Sequence, residues 1–267
     1  MNGVEFDFAN LHDLEEIQSF IALHWSENHI YTTSNELFLR EFLWLKRPDK
    51  LTIALARDGC GAVLGIFCFK FFNYSELPDL AGGLWKVTTD AEKKYQMIGV
   101  RLQQYVIKNV PHRFFSAPGP NIQTKNTNKM LRLQWNDMKQ YYAINPLIKD
   151  YKLIKFLPHN IPQDISSKAP HIELKRVESV DQLLDFDFNT ICNIVPFKDK
   201  KYIENRFFDY PFYKYDVFLV YKKNELVAQN VVVCRKAMAK NNEYNDIASA
   251  YRVVDFYGTD NLLPEIV

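Results

Sequence analysis

The chain has 267 residues, more than one average domain and about the length of two small ones. It is 47% hydrophobic and 24% charged, a globular composition that excludes wholesale disorder. Its 33 basic residues face 32 acidic ones with no long Lys/Arg block, which argues against a nucleic-acid partner.

In chain order, Val4–Phe8 alternates like a half-buried strand. Leu11, Leu14, Ile17, Phe20 and Ile21 then recur at helical spacing, with Asn10 as a cap. Leu37, Phe38 and Phe42 predict a second helix over Ser34–Leu45. Strands over Leu51–Ala56 and Ala62–Phe71 are joined by a Gly-containing hairpin turn, Arg57–Gly61. Pro78 and Gly82-Gly83 read as a loop, and Leu84–Thr88 as a short strand. Ile98, Leu102, Tyr105, Val106 and Val110 line one face of a single long helix over Glu92–Val110. Strands over Arg113–Ala117 and Met138–Ile144 flank a short helix at Asn126–Leu133.

Leu157–Gln163, with two prolines, reads as a linker, and beyond it the pattern restarts. A strand at Ile172–Val177, helices at Val180–Phe188 and Asp199–Phe208, and strands at Val217–Tyr221, Leu226–Arg235 and Arg252–Tyr257 repeat the earlier element order. The expected division is a domain over 1–150, a linker over 151–170 and a second, incomplete domain over 171–267. A sheet ending at the last strand exposes an edge, so a homodimer or a partner completing that sheet is expected.

The four cysteines, Cys60, Cys68, Cys192 and Cys234, have no metal spacing, and no metal is expected. No signal peptide and no run of about 20 apolar residues is present, so the expected location is cytoplasmic, with no membrane span.

Two stretches carry chemistry. Between Leu84 and Leu102 lie a strand, a turn and a helix, with Gln96 and Gly99 three apart. N–H groups at a helix start are unpaired and partly positive; they bind a diphosphate, and small residues let the backbone approach it. The segment His24–Tyr31 packs two imidazoles, a carboxylate and two aromatic rings into eight residues. His29 or Glu27 suits a base there, and Trp25 or Tyr31 a sugar-stacking platform; the alternative is a surface turn with a satisfied histidine.

The first stretch resembles the acyl-CoA signature of the GNAT superfamily of N-acyltransferases: Gln or Arg, two residues, Gly, one residue, then Gly or Ala. Gln96 and Gly99 match, and Arg101 stands at the last position, where it could pair a CoA phosphate bidentately. Ala117–Asn121 through Met130–Trp135 to Met138–Asn145 is similar to the strand-Asn-helix-strand ending of bacterial members serving surface-glycan biosynthesis. Met130 occupies the slot where many members carry a tyrosine acid, leaving water, Tyr141 or Tyr142 for that role.

The resemblance implies a GNAT-like mixed, mostly antiparallel central sheet with flanking helices (α+β or α/β), followed by a second, partial GNAT-like unit. It implies direct transfer of an acyl group, expected to be acetyl, from acyl-CoA to the amine of a small acceptor such as an amino sugar or sugar nucleotide. Acyl-CoA would lie against Val87, Gln96, Met97, Ile98, Gly99, Val100, Arg101 and Asn121. Trp25, Tyr31 and Trp85 would bind the acceptor, and His29, Glu27 and Tyr142 would be catalytic. Two other readings stand beside it: a FemABX-like aminoacyl transferase, and an inactive GNAT pair acting as a binding or partner subunit.

Overall fold

A computed structural model describes residues 3–119, 122–135, 171–238 and 249–258. Two compact units divide the chain, Met1–Asn136 with Val195–Lys198, and Asp137–Ile194 with Asp199–Val267. The expected strand at Met138–Ile144 and the linker lie outside the described residues.

The first unit is built around a strand with no polar face. Leu51–Ala56 are all buried in β2 (Lys50–Arg57), which is what a strand covered on both sides requires. It lies between β1 (Glu5–Asn10) and β3 (Val63–Phe71), and the sheet order is β1-β2-β3-β4-β5. All neighbours are antiparallel except β4 (Asp79–Val87) and β5 (Phe114–Ser116), which run parallel.

Alternation along β2 serves two cores. Ile53 and Leu55 pack with Ile17, Phe20 and Ile21 of α1 (Leu14–His24) and Phe38 and Phe42 of α3 (Asn35–Phe42). Ala54 and Ala56 face the other way, toward Ile98, Leu102 and Val106 of α5 (Ile98–Asn109). Small residues on that side let α5 lie close to the sheet. Asn10 and Asp13 form a reciprocal cap at the turn into α1, as expected of Asn10. At the far edge, the buried carboxylate of Asp79 accepts from Arg113 Nε (2.8 Å) and Nη2 (2.7 Å) and from the Phe197 amide (2.6 Å). This ties the start of β5 and the segment Val195–Lys198 to β4.

Several expected elements change. Gly82 and Gly83 are not a loop: β4 runs through them. A Cβ at Gly82 would lie 3.0 Å from Cζ of Phe67 and 3.3 Å from Cζ of Phe115, so glycine keeps the strand continuous beneath two rings. The expected long helix is two, α4 (Thr89–Lys94) and α5. Tyr95 is extended and Met97 is left-handed (φ 54°) between them. The apolar stripe from Ile98 onward belongs to α5 alone; of α4 only Ala91 is buried, so nothing apolar holds the two on one axis. The loop after α1 contains a one-turn helix, α2 (Ile30–Thr33). The short helix α6 spans Ile122–Met130.

The second unit carries four antiparallel strands in the order β6 (Ile172–Val177), β7 (Asp216–Lys222), β8 (Asn230–Met238), β9 (Ser249–Gly258). Val217, Leu219, Val231, Val233 and Tyr257 are buried on one face. The two expected helices are broken into shorter pieces. Val180–Asp185 and Phe188–Ile191 are 3₁₀ turns, separated because Phe186 is extended and bridges Ala228. Lys200–Ile203 (α7) widens into a π turn over Glu204–Phe208. The aromatic run after it is core packing: Tyr210 stacks on Tyr213 at 5.7 Å, and Arg206 lies over Tyr210 at 4.8 Å. Among the described residues no helix is long and apolar enough to cross a membrane.

The fold class is therefore as expected, a mixed, mostly antiparallel five-stranded sheet with flanking helices followed by a four-stranded sheet.

Candidate functional site

The parallel pair β4–β5 covers only the beginning of β4. Asp79, Leu80 and Ala81 pair with Phe114, Phe115 and Ser116, and beyond them Gly82–Val87 has β3 alone as a described neighbour. The outer edge of that half of β4 is therefore open among the described residues. It is also bulged. Phe67 pairs with Trp85 while Phe69 pairs with Gly82, so two residues of β3 oppose three of β4. The extra residue lies at Gly83–Leu84, and Gly83 is exposed. A bulge leaves ladder groups unpaired and re-aims the strand.

The chain leaves β4 at Val87, passes through α4 and re-enters a helix at Ile98. Met97 is the residue before α5, and its side chain makes no capping bond. No described group accepts from the amides of Gly99 or Val100, and the first turn contains no acidic residue. Among the described residues the positive end of this twelve-residue helix is thus uncompensated. Its first turn is seated directly on β4. A Cβ added at Gly99 would lie 3.2 Å from the indole nitrogen of Trp85 and 3.4 Å from Cγ2 of Val87. The unpaired amides and the bulged edge therefore belong to adjoining pieces of one strand-turn-helix.

This placement sorts the expected acyl-CoA residues. Met97, Ile98, Gly99 and Val100 form the helix start, Gln96 is exposed in the turn before it, and Val87 ends the strand beneath. Gly99 serves contact with Trp85, so its missing side chain faces the protein. Trp85 is half-buried, edge-on to Phe67 at 5.5 Å, and acts as the floor of the helix. Arg101 points away from the helix start, its guanidinium 5.0 Å over the ring of Phe6. Asn121 and Tyr142 lie outside the described residues.

The second candidate group gathers on the opposite face of the sheet. His29 precedes α2, and its Nδ1 accepts from the Tyr31 amide at 3.2 Å. The ring proton therefore sits on Nε2, and burial holds the His29 pKa below its ordinary value. A neutral imidazole in this tautomer can take up a proton only by giving up the cap. Tyr31 is anchored edge-on to Phe42 at 5.0 Å, and its carbonyl accepts from Gln18. Trp25 is half-exposed at 48%, 6.2 Å from the His29 ring, and is the open aromatic surface of the group. Glu27 is exposed, and its backbone carbonyl accepts from Thr32 Oγ1. No described contact joins this group to the start of α5. Among the described residues no three His, Cys, Asp or Glu side chains are grouped to hold a metal ion.

No family model matches the chain, and no curated protein matches it. Solved structures do. An aminoglycoside N-acetyltransferase AAC(6')-Iy in complex with CoA aligns at a TM-score of 0.41 and 12% identity, over 54% of this chain and 96% of that one. The aminoglycoside 6'-N-acetyltransferase AAC(6')-Ih from Acinetobacter baumannii aligns at 0.39 and 13%, over 54% and 99%. A ribosomal-protein-alanine N-acetyltransferase from Brucella melitensis biovar Abortus 2308 aligns at 0.39 and 14%, over 54% and 100%. At scores and identities this low the likenesses carry no functional weight. The chain's own geometry has to supply it.

Sequence reasoning missed the bulge in β4, because a Gly-Gly pair four residues after Pro78 reads as a turn. The signal available was the apolar sequence on both sides of it, Leu80-Ala81 and Leu84-Trp85.

Proposed function

We propose that the first unit binds acyl-CoA and transfers its acyl group, acetyl in the simplest case, to the amine of a small acceptor. The observation that carries this reading is the uncapped start of α5 seated beside the open, bulged edge of β4. Unpaired amides of Gly99 and Val100 suit the CoA diphosphate, since the helix dipole favours an anion there. The open edge of β4 suits the extended amide-bearing arm, which would add to the sheet as a strand does, and it offers an N–H toward the thioester carbonyl. In the transfer a neutral amine forms the new N–C bond, the C–S bond breaks, and CoA leaves as thiolate. The surplus amine proton passes to water, because His29 is engaged as a cap and no described contact brings Glu27 to the start of α5, and the thiolate is protonated by water or by Tyr142. The exposed indole of Trp25 suits an amino sugar as acceptor. The second unit repeats the order of the first four strands of the first, each antiparallel to its chain neighbour, and is read as a partial copy.

The engaged lone pair of His29 favours one second reading, a unit that binds acyl-CoA without turning it over. The test is calorimetric titration of the full chain with acetyl-CoA, followed by a free-thiol assay over a panel of amines. Binding with thiol release is the expected result. Absence of heat at millimolar acetyl-CoA would overturn the proposal, and binding without thiol release from any amine would establish the second reading.

A further inference from the structure

Strand β9 is ten residues long and, among the described residues, pairs only with β8. Tyr251, Arg252, Val253 and Val254 are all exposed along it. A long edge with β-branched and aromatic residues is a template for another strand unless something blunts it. The face it borders is also apolar. Leu174, Phe218, Val232, Cys234, Tyr251 and Val253 line a groove of about 270 Å³ across the sheet.

The pattern of β9 is self-complementary. Val233 pairs with Asp255 and Cys234 with Val253, so Val254 is an extra, bulged residue that resets the alternation. Tyr251, Val253 and Phe256 consequently share the groove face, opposite Lys236, Cys234 and Val232. Arg252 and Asp255 share the other, opposite Arg235 and Val233, and there the Asp255 carboxylate already accepts from the Tyr257 hydroxyl at 2.8 Å and the Phe256 amide at 3.0 Å, so a cross-axis arginine would add to these bonds. Lay a second β9 antiparallel beside the first about a two-fold axis between Val253 and Val254. Tyr251 then meets Phe256, and Arg252 meets Asp255, each pair twice and each on a common face. Without the bulge this register would set groove-face residues against those of the opposite face; with it, faces match throughout. Arg252 also has a reason to seek a carboxylate, since its cross-strand neighbour on β8 is the like-charged Arg235.

We propose that two copies of this chain associate through β9, joining their second sheets into one eight-stranded antiparallel sheet with paired Arg252–Asp255 contacts across the axis. The interface is isologous, as a two-fold dimer requires. Its occupant is a second copy, not a foreign strand, because the charges and the bulge complement themselves.

The test is sedimentation of the full chain over a concentration series, with circular dichroism to confirm that each variant is folded. The wild-type chain is expected to dimerise. Arg252→Asp sets aspartate against Asp255 and is expected to be monomeric; Asp255→Arg sets arginine against Arg252 and is expected to be monomeric too. Mixed in equal amounts, the two variants are expected to form a heterodimer, because every cross-axis pair is then opposite in charge. A monomeric wild-type chain, a dimer that survives Arg252→Asp, or folded variants that fail to associate on mixing would each overturn the proposal.

Discussion

Gly99 lies directly over Trp85: an added Cβ would stand 3.2 Å from the indole nitrogen, tighter than ordinary contact, and 3.4 Å from Cζ2. This contact seats the first turn of α5 on β4 and sets where the unpaired amides emerge. Gly99→Val is expected to lower stability by about 1–3 kcal/mol, the usual cost of overpacking. Trp85→Leu removes the obstacle, so the double variant should lose at least ~1 kcal/mol less than the two single losses added together. Urea unfolding of the four proteins measures this, and strict additivity would show that the contact is not what excludes a side chain.

A carboxylate at the start of α5 separates stability from binding. Met97→Glu places a negative charge beside the uncompensated helix end, which should leave stability unchanged or raise it by about 0.3–1 kcal/mol. The same charge competes with the CoA diphosphate, and acetyl-CoA affinity should fall about tenfold, or ~1.4 kcal/mol. Calorimetry and thermal unfolding on one preparation decide it; unchanged affinity would move the diphosphate elsewhere.

His29 makes the loop after α1 sensitive to pH. Burial lowers its folded pKa below the unfolded value of about 6.5, so the folded state binds fewer protons than the unfolded state in that range. Its contribution to stability is complete above the unfolded value and is lost as pH falls through the folded one. His29→Asn keeps a capping oxygen without the titration. The variant should match the wild-type chain at pH 8 and fall less between pH 7 and pH 5, read from urea midpoints.

Gln103 is buried on α5 at 0% exposure, and among the described residues neither its amide nitrogen nor its amide oxygen has a hydrogen-bond partner. A buried amide without partners costs roughly 1–3 kcal/mol. Gln103→Met, similar in length and apolar, should therefore raise the denaturation midpoint by the equivalent of about 1 kcal/mol or more. A drop in the midpoint would mean that the amide is bonded in solution.

The sequence by itself determined the strands that are apolar throughout or clearly alternating. The uninterrupted run Leu51–Ala56 announces a strand covered on both faces, and the hairpin at Gly59 sets its neighbour. Local periodicity suffices there because burial on one or two faces is written into each residue. It determined also that Gln96–Val100 follows a strand and leads into a helix. What it could not decide was where the helix begins. Glu92 to Val110 contains no proline and one glycine, so nothing local breaks it; the break at Tyr95–Met97 comes from docking α5 on Ala54, Ala56 and Trp85. Likewise the passage of β4 through Gly82-Gly83 depends on the rings of Phe67 and Phe115, which are distant in sequence. His29 reads as a base by composition and becomes a cap only once the Tyr31 amide is 3.2 Å away. Backbone amides, bulges and tautomers are properties of partners brought together by the fold, and it is those that give this chain its candidate site.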